Sequence, residues 1–161
     1  MNHDTTFTRS WTEYVNGFYV DQWTHWIGLE LLHQITTLSC KLDVVTMMNG
    51  HYGFIKRVHA TFSNFTVGSA ATNYTLFVSG FEGNCYDFLS TYSGLPFSAP
   101  FGDNECANAC GCGWWYRSDG DCGQASLNRM AYECPIWGSC EHQTERDLSV
   151  SEMMVKPQGT D

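Results

Sequence analysis

CANACGCGWWYRSDGDCGQASLN, the stretch from Cys106 to Asn128, places two tryptophans and a tyrosine inside a loop rich in glycine and cysteine. Trp114 and Trp115 bury a large apolar area at one point of the chain, and the neighbouring glycines let the backbone pass close to the rings. A disulfide between the flanking Cys106 and Cys122 would stabilise a loop of about 15 residues by about 3 kcal/mol. Long loops of this kind carry binding sites or require covalent cross-links.

Composition limits the class of protein. With 161 residues, of which 43% are hydrophobic and 15% aromatic, the chain fits a single domain over residues 1–161 with a substantial core. The net charge of −9, with only eight Lys and Arg residues, argues against nucleic acid and anionic membranes as partners, because both require a basic face. No apolar run is long enough to cross a bilayer, and no signal peptide is visible in MNHDTTFTRS. We therefore expect one folded domain without membrane insertion.

The cysteine content predicts an oxidising, extracellular environment. Eight cysteines exceed cytosolic usage, and an even number permits complete pairing. The triplets beginning at Asn64 and Asn73 match the glycosylation sequon and agree with secretion. The alternative is a zinc site, although its spacing lacks the paired C-x2-C units of common zinc folds; its ligands would be Cys106, Cys110, Cys112 and Cys122.

The remaining cysteines have different expected roles. Cys110 and Cys112 are too close in sequence to bridge each other comfortably, so each is expected to pair with Cys134, Cys140 or another chain. Cys40, on a predicted strand, is expected to be a buried free thiol. Cys85 is open to either role.

Hydrophobic spacing predicts one short helix followed by strands. Leu31, Leu32 and Ile35 recur at helical spacing, which predicts a short helix within residues 23–37 that is buried on one side. His33, between these positions, is expected to be a hydrogen-bonded core or boundary residue rather than a catalytic one.

Period-two alternation then predicts an antiparallel sheet. Strands are expected from Cys40 onward and over residues 53–62 and 73–81, with a tight hairpin turn at Asn49-Gly50. After these strands a turn-forming composition predicts loops up to a last regular element at residues 148–155. The fold class is therefore α+β: a twisted antiparallel sheet with short packed helices and a loop-rich, disulfide-stapled C-terminal region.

Five segments occur in an order that resembles the fibrinogen C-terminal domain family, the fibrinogen-related or ficolin-like proteins. They are SWTEYVNGF at 10–18, WIGLELLHQIT at 26–36, YTLFVSGFEGN at 74–84, CANACGCGWWY with its later SLN, and SEMMVKP at 151–157. The Cys-Ala pair, the WWY triplet eight residues after that cysteine and the EMMVKP ending are the most specific. The family's domain begins well before the position of Met1, so the resemblance implies a chain without the N-terminal subdomain.

The resemblance implies a Cys106–Cys122 disulfide, an unusual and sometimes cis peptide at Glu105–Cys106, and an extracellular recognition role. The lectin-like members bind acetylated sugars, and other members bind receptors, cell surfaces or peptide termini. The positions that match the acetyl-group pocket, together with the tryptophans, are Cys110, Gly113, Trp114, Trp115, Gly123 and Tyr132. Cys110 and Gly123 replace an aromatic residue and a histidine, so the scaffold transfers better than the ligand does. An insertion within residues 117–121 and Arg129 in place of glycine further reshape the rim.

A calcium site is also implied by the resemblance. The matching stretch is FSAPFGDNECA, in which Phe101 stands where the first aspartate is expected. Asp103 and Glu105 are the remaining candidate ligands, a small set for a cation that takes six to eight oxygens. Ordinary turn roles for Asp103 and Asn104 are the favoured interpretation.

The sequence therefore predicts a binding domain rather than an enzyme, because no histidine stands in a recognisable spacing with a cysteine or serine nucleophile. The preferred function is lectin-like binding of a carbohydrate or acetylated ligand. The alternative is a protein–protein interaction domain, binding a receptor or matrix protein without a small-molecule pocket. Self-association into a homo-oligomer is left open.

Overall fold

The computed structural model describes residues 7–49, 55–120, 122–123, 125–128 and 148–158. Their helices and strands follow in the order α1 (Trp11–Asn16), β1 (Phe18–Tyr19), β2 (His25–Trp26), α2 (Leu29–Ile35), β3 (Cys40–Asn49), β4 (Ile55–Val67), β5 (Leu76–Gly83), α3 (Glu105–Cys110) and β6 (Leu148–Pro157). Short 3₁₀ turns lie at Ala70–Thr72 and Ser90–Tyr92. Among these residues, no helix has the length and apolar character needed to cross a membrane.

A four-stranded antiparallel sheet organises the fold, in the order β5-β4-β3-β6, and β1 pairs with β2 in a separate hairpin. This arrangement confirms the predicted α+β class with an antiparallel sheet and short helices. The last strand, β6, pairs with β3 along its length, from Cys40 opposite Pro157 to Met48 opposite Leu148. The C-terminal segment is thereby fixed in the sheet beside a strand from the first third of the chain.

A bulge in the β3–β4 pairing explains why β4 is longer than the sequence pattern indicates. Phe62 lies opposite Leu42 and Phe65 lies opposite Cys40, so two residues of β4 between these pairs face one of β3. The extra residue reverses the alternation, and both Phe62 and Phe65 are buried, although a regular strand would turn them to opposite faces.

The first helix begins with a capping box that the sequence analysis did not identify. Ser10 accepts a hydrogen bond from Glu13 N, and Glu13 Oε2 accepts one from Ser10 N at 2.9 Å. These bonds satisfy two of the donors that a helix N-terminus leaves unpaired. The single buried residue of this helix, Tyr14, faces the core.

Two local predictions were wrong. The helix within residues 23–37 forms, but Leu29 and Leu32 are its buried residues, while Leu31 and Ile35 are 47% and 40% exposed. Asn49 is not part of a two-residue turn, because it lies in β3 and pairs with Ile55, and Gly50 lies outside the described residues. His33 takes its predicted boundary role, with Nδ1 at 2.9 Å from Val67 O.

Candidate functional site

The tryptophan pair lies in the centre of the core. Trp114 and Trp115 are both 0% exposed, and their ring centroids are 5.2 Å apart. The Trp115 ring packs edge-on against Phe97 at 5.1 Å, and its Nε1 donates a hydrogen bond to Tyr74 O at 2.8 Å. Among the described residues, Trp114 Nε1 is the buried side-chain nitrogen or oxygen for which no hydrogen-bond partner is found.

Two tyrosines attach the loop around the tryptophans to the rest of the core. Tyr14 Oη accepts a hydrogen bond from Gly113 N at 2.8 Å and donates one to Phe7 O at 2.7 Å. Tyr92 Oη accepts a hydrogen bond from Ala125 N at 2.8 Å. Burial raises the pKa of Tyr14 well above its ordinary value, so the hydroxyl stays protonated and keeps its donor role.

The structure contains the Cys106–Cys122 disulfide that the resemblance implies, with the two Cα atoms 5.2 Å apart. Cys110 is disulfide-bonded as well. The zinc alternative is therefore wrong, because oxidised sulfurs cannot act as thiolate ligands. The Glu105–Cys106 peptide is trans, since no cis peptide occurs among the described residues.

The structure does not support an acetyl-group pocket built from the predicted residues. Trp114 and Trp115 are core residues without exposed surface, and Cys110 and Gly113 are buried as well. Gly123 is partly exposed, but a Cβ atom there would lie 2.0 Å from Tyr92 Oη. Tyr132 lies outside the described residues. The aromatic triplet thus fills the core instead of offering a platform to a ligand.

A loop before α3 presents an aromatic side chain that the sequence analysis considered only as a lost calcium ligand. Phe101 is 78% exposed and has a φ of 68°, a left-handed conformation that costs a bulky residue of order 1–3 kcal/mol. Asn108, in α3, stabilises this strained backbone. Its Oδ1 accepts a hydrogen bond from Phe101 N at 2.8 Å, and its Nδ2 donates one to Gly102 O at 2.7 Å. The strained backbone is thus held in one conformation.

The oxygen atoms of this loop do not fit a calcium site. Gly102 O accepts a hydrogen bond from Asn108 Nδ2. Asn104 is the N-cap of α3, and its Oδ1 accepts from Ala107 N at 3.0 Å. Asp103 and Glu105 are exposed, and no group of three or more acidic, histidine or cysteine side chains suited to a metal occurs in the described part of the chain. The turn role predicted for Asn104 thus takes the form of a helix cap.

The loop that contains Arg117 and Asp119 lies beside the loop that contains Phe101. Asn104 Nδ2 donates to Arg117 O at 3.3 Å, which joins the two loops, and the Cys106–Cys122 disulfide closes the loop that contains Arg117. Arg117 Nε and Nη2 both bind Asp119 Oδ2, at 3.0 and 2.6 Å. We call the exposed residues of these loops the loop surface: Phe101, Asp103, Glu105, Arg117 and Asp119.

A buried cluster of weakly nucleophilic groups lies beneath the loops. Cys112 Sγ is 3.1 Å from Tyr116 Oη and 3.5 Å from Ser126 Oγ, and the two hydroxyls are 3.2 Å apart. Burial raises the pKa of Tyr116 far above its ordinary value, and the Cys112 sulfur adds to the effect. Three mutually bonded neutral groups with no surface access form a structural network.

Of the other predicted sites, Cys40 and Asn64 lie on strands of the sheet, and Asn73 follows the 3₁₀ turn before β5. Cys40 is a buried free thiol, as predicted, and its Sγ donates to Ile35 O at 3.3 Å. Asn64 and Asn73 are exposed, so both sequon side chains are accessible. Their glycosylation stays a prediction.

A helix-flanked antiparallel sheet with a disulfide-closed loop over an aromatic core is the architecture of fibrinogen-like globular domains. The family model "Fibrinogen beta and gamma chains, C-terminal globular domain" matches residues 1–158. The chain belongs to this family.

Known proteins resemble the chain in sequence or in fold. Angiopoietin-4 from Bos taurus is 29% identical over 98% of the chain, which spans 33% of angiopoietin-4. The fibrinogen-like globe domain of human ANGPTL6 has a TM-score of 0.76 and 23% identity, covering 96% of this chain and 73% of that one. A lamprey fibrin D-dimer in complex with the peptide Gly-His-Arg-Pro-amide has a TM-score of 0.74 and 24% identity, covering 98% and 59%.

Family membership and the disulfide place the chain in the extracellular environment, as its cysteine content predicts. The assignment of residues 1–161 to a single domain stays a prediction.

Proposed function

We propose that this chain is an extracellular recognition domain that binds a protein partner through the loop surface, and that it has no catalytic activity. The observation that carries the proposal is the exposed Phe101 ring on a strained backbone fixed by Asn108. A phenylalanine on a fixed backbone has only two rotatable side-chain bonds to order on binding, and aromatic residues are enriched in protein interfaces.

The charges around Phe101 support a protein partner. Asp103 and Glu105 follow Phe101 in the sequence, and the adjacent loop carries an exposed ion pair between Arg117 and Asp119. An aromatic centre with a charged rim is the usual arrangement of a non-obligate protein interface. The lamprey fibrin relative, which binds a peptide, supports the same class of ligand.

Most of the residues predicted to contact an acetylated ligand are inaccessible to it. Four of its six candidate contacts are buried, and a side chain larger than glycine at position 123 would collide with Tyr92. The protein–protein alternative requires no pocket and therefore agrees with these observations.

A cell-binding assay distinguishes the two functions. The biotinylated, disulfide-intact chain is applied to intact cells of the producing organism, after treatment with protease or with glycosidases. Protease should abolish binding and glycosidases should leave it unchanged. Phe101→Ser should weaken binding by tenfold or more, as expected for an interface hot spot, whereas Tyr86→Ser, at a 61% exposed aromatic outside the loop surface, should not. Binding that survives protease and is competed by N-acetylglucosamine would establish the lectin function instead.

A further inference from the structure

Exposed apolar side chains concentrate in one N-terminal segment, away in sequence from the loop surface. Of the ten large hydrophobic side chains exposed in the described part of the chain, six lie between Tyr19 and Leu38. Trp23 and Tyr19 are the most exposed of these six, at 83% and 78%. These side chains are close in sequence, and clustered exposed apolar residues mark an interaction site more often than scattered ones do.

The two aromatic residues belong to a rigid hairpin. Phe18 pairs with Trp26 and Tyr19 with His25, and Trp26 is buried in the core. Because side chains alternate along a strand, Tyr19 and His25 lie on the outer face, where their ring centroids are 5.4 Å apart. Because the buried Trp26 anchors the inner face of the hairpin in the core, the outer face is held in place.

The turn of the hairpin is also fixed. Asp21 Oδ1 accepts hydrogen bonds from Trp23 N at 2.7 Å and from Thr24 N at 2.8 Å, and Val20 N donates to Thr24 O at 2.9 Å. The two backbone donors hold the pKa of Asp21 below its ordinary value, so the carboxylate is ionised at neutral pH. Trp23 therefore stands on a closed turn next to a negative charge.

The charged residues in this part of the sequence are acidic, and the nearby Arg9 is engaged on the inner side, over the Phe18 ring at 5.3 Å and with Glu13. Residues 10–40 contain no Lys or Arg, and their carboxylates are Glu13, Asp21 and Glu30. Glu13 is paired with Arg9 at 3.1 Å, whereas the hydrogen bonds described for Asp21 come from neutral backbone donors. A cationic group is the complement of an exposed aromatic pair beside an ionised carboxylate, because the ring faces and the carboxylate both attract it.

We propose that the aromatic hairpin surface, formed by Tyr19, Asp21, Trp23 and His25, binds an arginine- or lysine-containing segment of a partner protein. The cation stacks on the exposed aromatic faces, and Asp21 is its counter-ion. This surface is separate from the loop surface, so either can fail without the other.

The test uses the full, disulfide-intact chain and the peptide acetyl-Gly-Arg-Gly-Arg-Gly-amide as probe. A matched peptide with citrulline at both arginine positions keeps the shape and removes the charge. Titration followed by NMR should show saturable shifts at the Trp23 indole N–H with the arginine peptide and much smaller shifts with the citrulline peptide. Trp23→Ala should weaken binding roughly two- to fivefold, the range of an exposed cation–π contact.

Two further variants separate charge from structure. Asp21→Asn keeps an oxygen acceptor for the turn and removes the charge, so it should weaken binding and reduce its dependence on salt. Tyr86→Ala is the control and should leave the affinity unchanged. Unchanged far-UV circular dichroism verifies folding of each variant, which is expected because the altered side chains are exposed.

Three results overturn the proposal. Equal affinity for the citrulline peptide removes the role of charge, and unchanged affinity of Trp23→Ala removes the role of the hairpin. Concentration-dependent self-association that Trp23→Ala abolishes, without saturable peptide binding, would assign the surface to a second copy of the chain. Loss of cell binding in Phe101→Ser bears on the loop surface alone and affects none of these outcomes.

Discussion

Replacing each of the two adjacent tryptophans by phenylalanine should have unequal effects on stability. Trp114 and Trp115 are equally buried, at 0% exposure, so both substitutions remove a similar volume from the core. They differ in their hydrogen bonds. Trp115 Nε1 donates to Tyr74 O at 2.8 Å, whereas no partner is found for Trp114 Nε1 in the described part of the chain. The difference between the two variants therefore reports the hydrogen bonding of the two indoles rather than the lost volume.

The expected difference in the free energy of unfolding follows from the contributions of lost volume and of hydrogen bonding. Loss of roughly three carbon-sized atoms from a buried ring costs about 2 kcal/mol in either variant. Trp115→Phe additionally leaves the buried Tyr74 carbonyl without this donor, which costs about 1–3 kcal/mol. Trp114→Phe removes an unsatisfied buried donor and recovers a penalty of similar size. Trp115→Phe should thus be less stable than Trp114→Phe by at least about 2 kcal/mol.

The local backbone at Tyr74 adds to the effect in the same direction. Asn73 and Tyr74 have φ angles of 49° and 52°, a left-handed conformation that costs about 1 kcal/mol or more per residue. The indole of Trp115 binds the carbonyl of the second of these residues. Without that bond, the strained pair loses one of the contacts that hold it.

Urea unfolding of the disulfide-intact variants, followed by far-UV circular dichroism, measures the difference without relying on tryptophan fluorescence. Trp23→Phe, at an 83% exposed position, is the control and should lie within about 0.5 kcal/mol of the unmodified chain. Equal free energies of unfolding for the two core variants would show that the Trp115 hydrogen bond adds no stability and that the unpaired Trp114 donor costs none.

Three further predictions concern the loop, the sheet and the metal. Gly123→Ala should destabilise the chain by about 1–3 kcal/mol in thermal unfolding, because the added Cβ would lie 2.0 Å from Tyr92 Oη at a φ of 75°; Gly120→Ala has a positive φ of 82° without the collision and should cost less. The hydrogen bond from Lys156 Nζ lowers the pKa of Asp43, so this carboxylate stabilises the fold above its unfolded pKa near 4, and the stabilisation is lost as the pH falls through the lower folded value. Asp43→Asn should therefore make the free energy of unfolding less dependent on pH below about pH 4. An unchanged dependence would contradict the assignment. About 10 mM Ca²⁺ should leave Tm unchanged, whereas a site with a Kd of about 1 mM would add about 1.4 kcal/mol and raise Tm by a few degrees.

Most of the sheet could be predicted from the sequence, and the exceptions have local causes. The alternation that defines β4 stops at Phe62, because Ser63 and Asn64 are both polar, and a pattern-based strand ends there. In the structure the strand continues to Val67, since the bulge absorbs one residue and returns Phe65 to the core. A bulge depends on the partner strand and is not visible in the sequence of β4 alone.

The helices depended on cues of different strength. The pattern S-x-x-E at Ser10 to Glu13 precedes α1 and could have revealed it, because the capping box is a sequence signature. In α2, spacing alone did not indicate which apolar stripe faces inward, because Leu29 and Leu32 form one stripe and Leu31 and Ile35 another. Tertiary packing selects between them, and it leaves the second stripe exposed.

The loop-rich half illustrates why aromatic content did not locate the proposed binding surface. Trp114, Trp115 and Tyr116 are apolar enough to be the most strongly buried part of the loop, so the residues that stand out in the sequence are those that a ligand cannot reach. Their burial fixes the path of the backbone, and the exposed positions are then set by polar side chains such as Asn104 and Asn108, which carry no distinctive motif. A binding surface in this fold therefore follows from what the aromatic core holds in place, and Phe101, anchored through Asn108, is the residue at which substitution should reveal it.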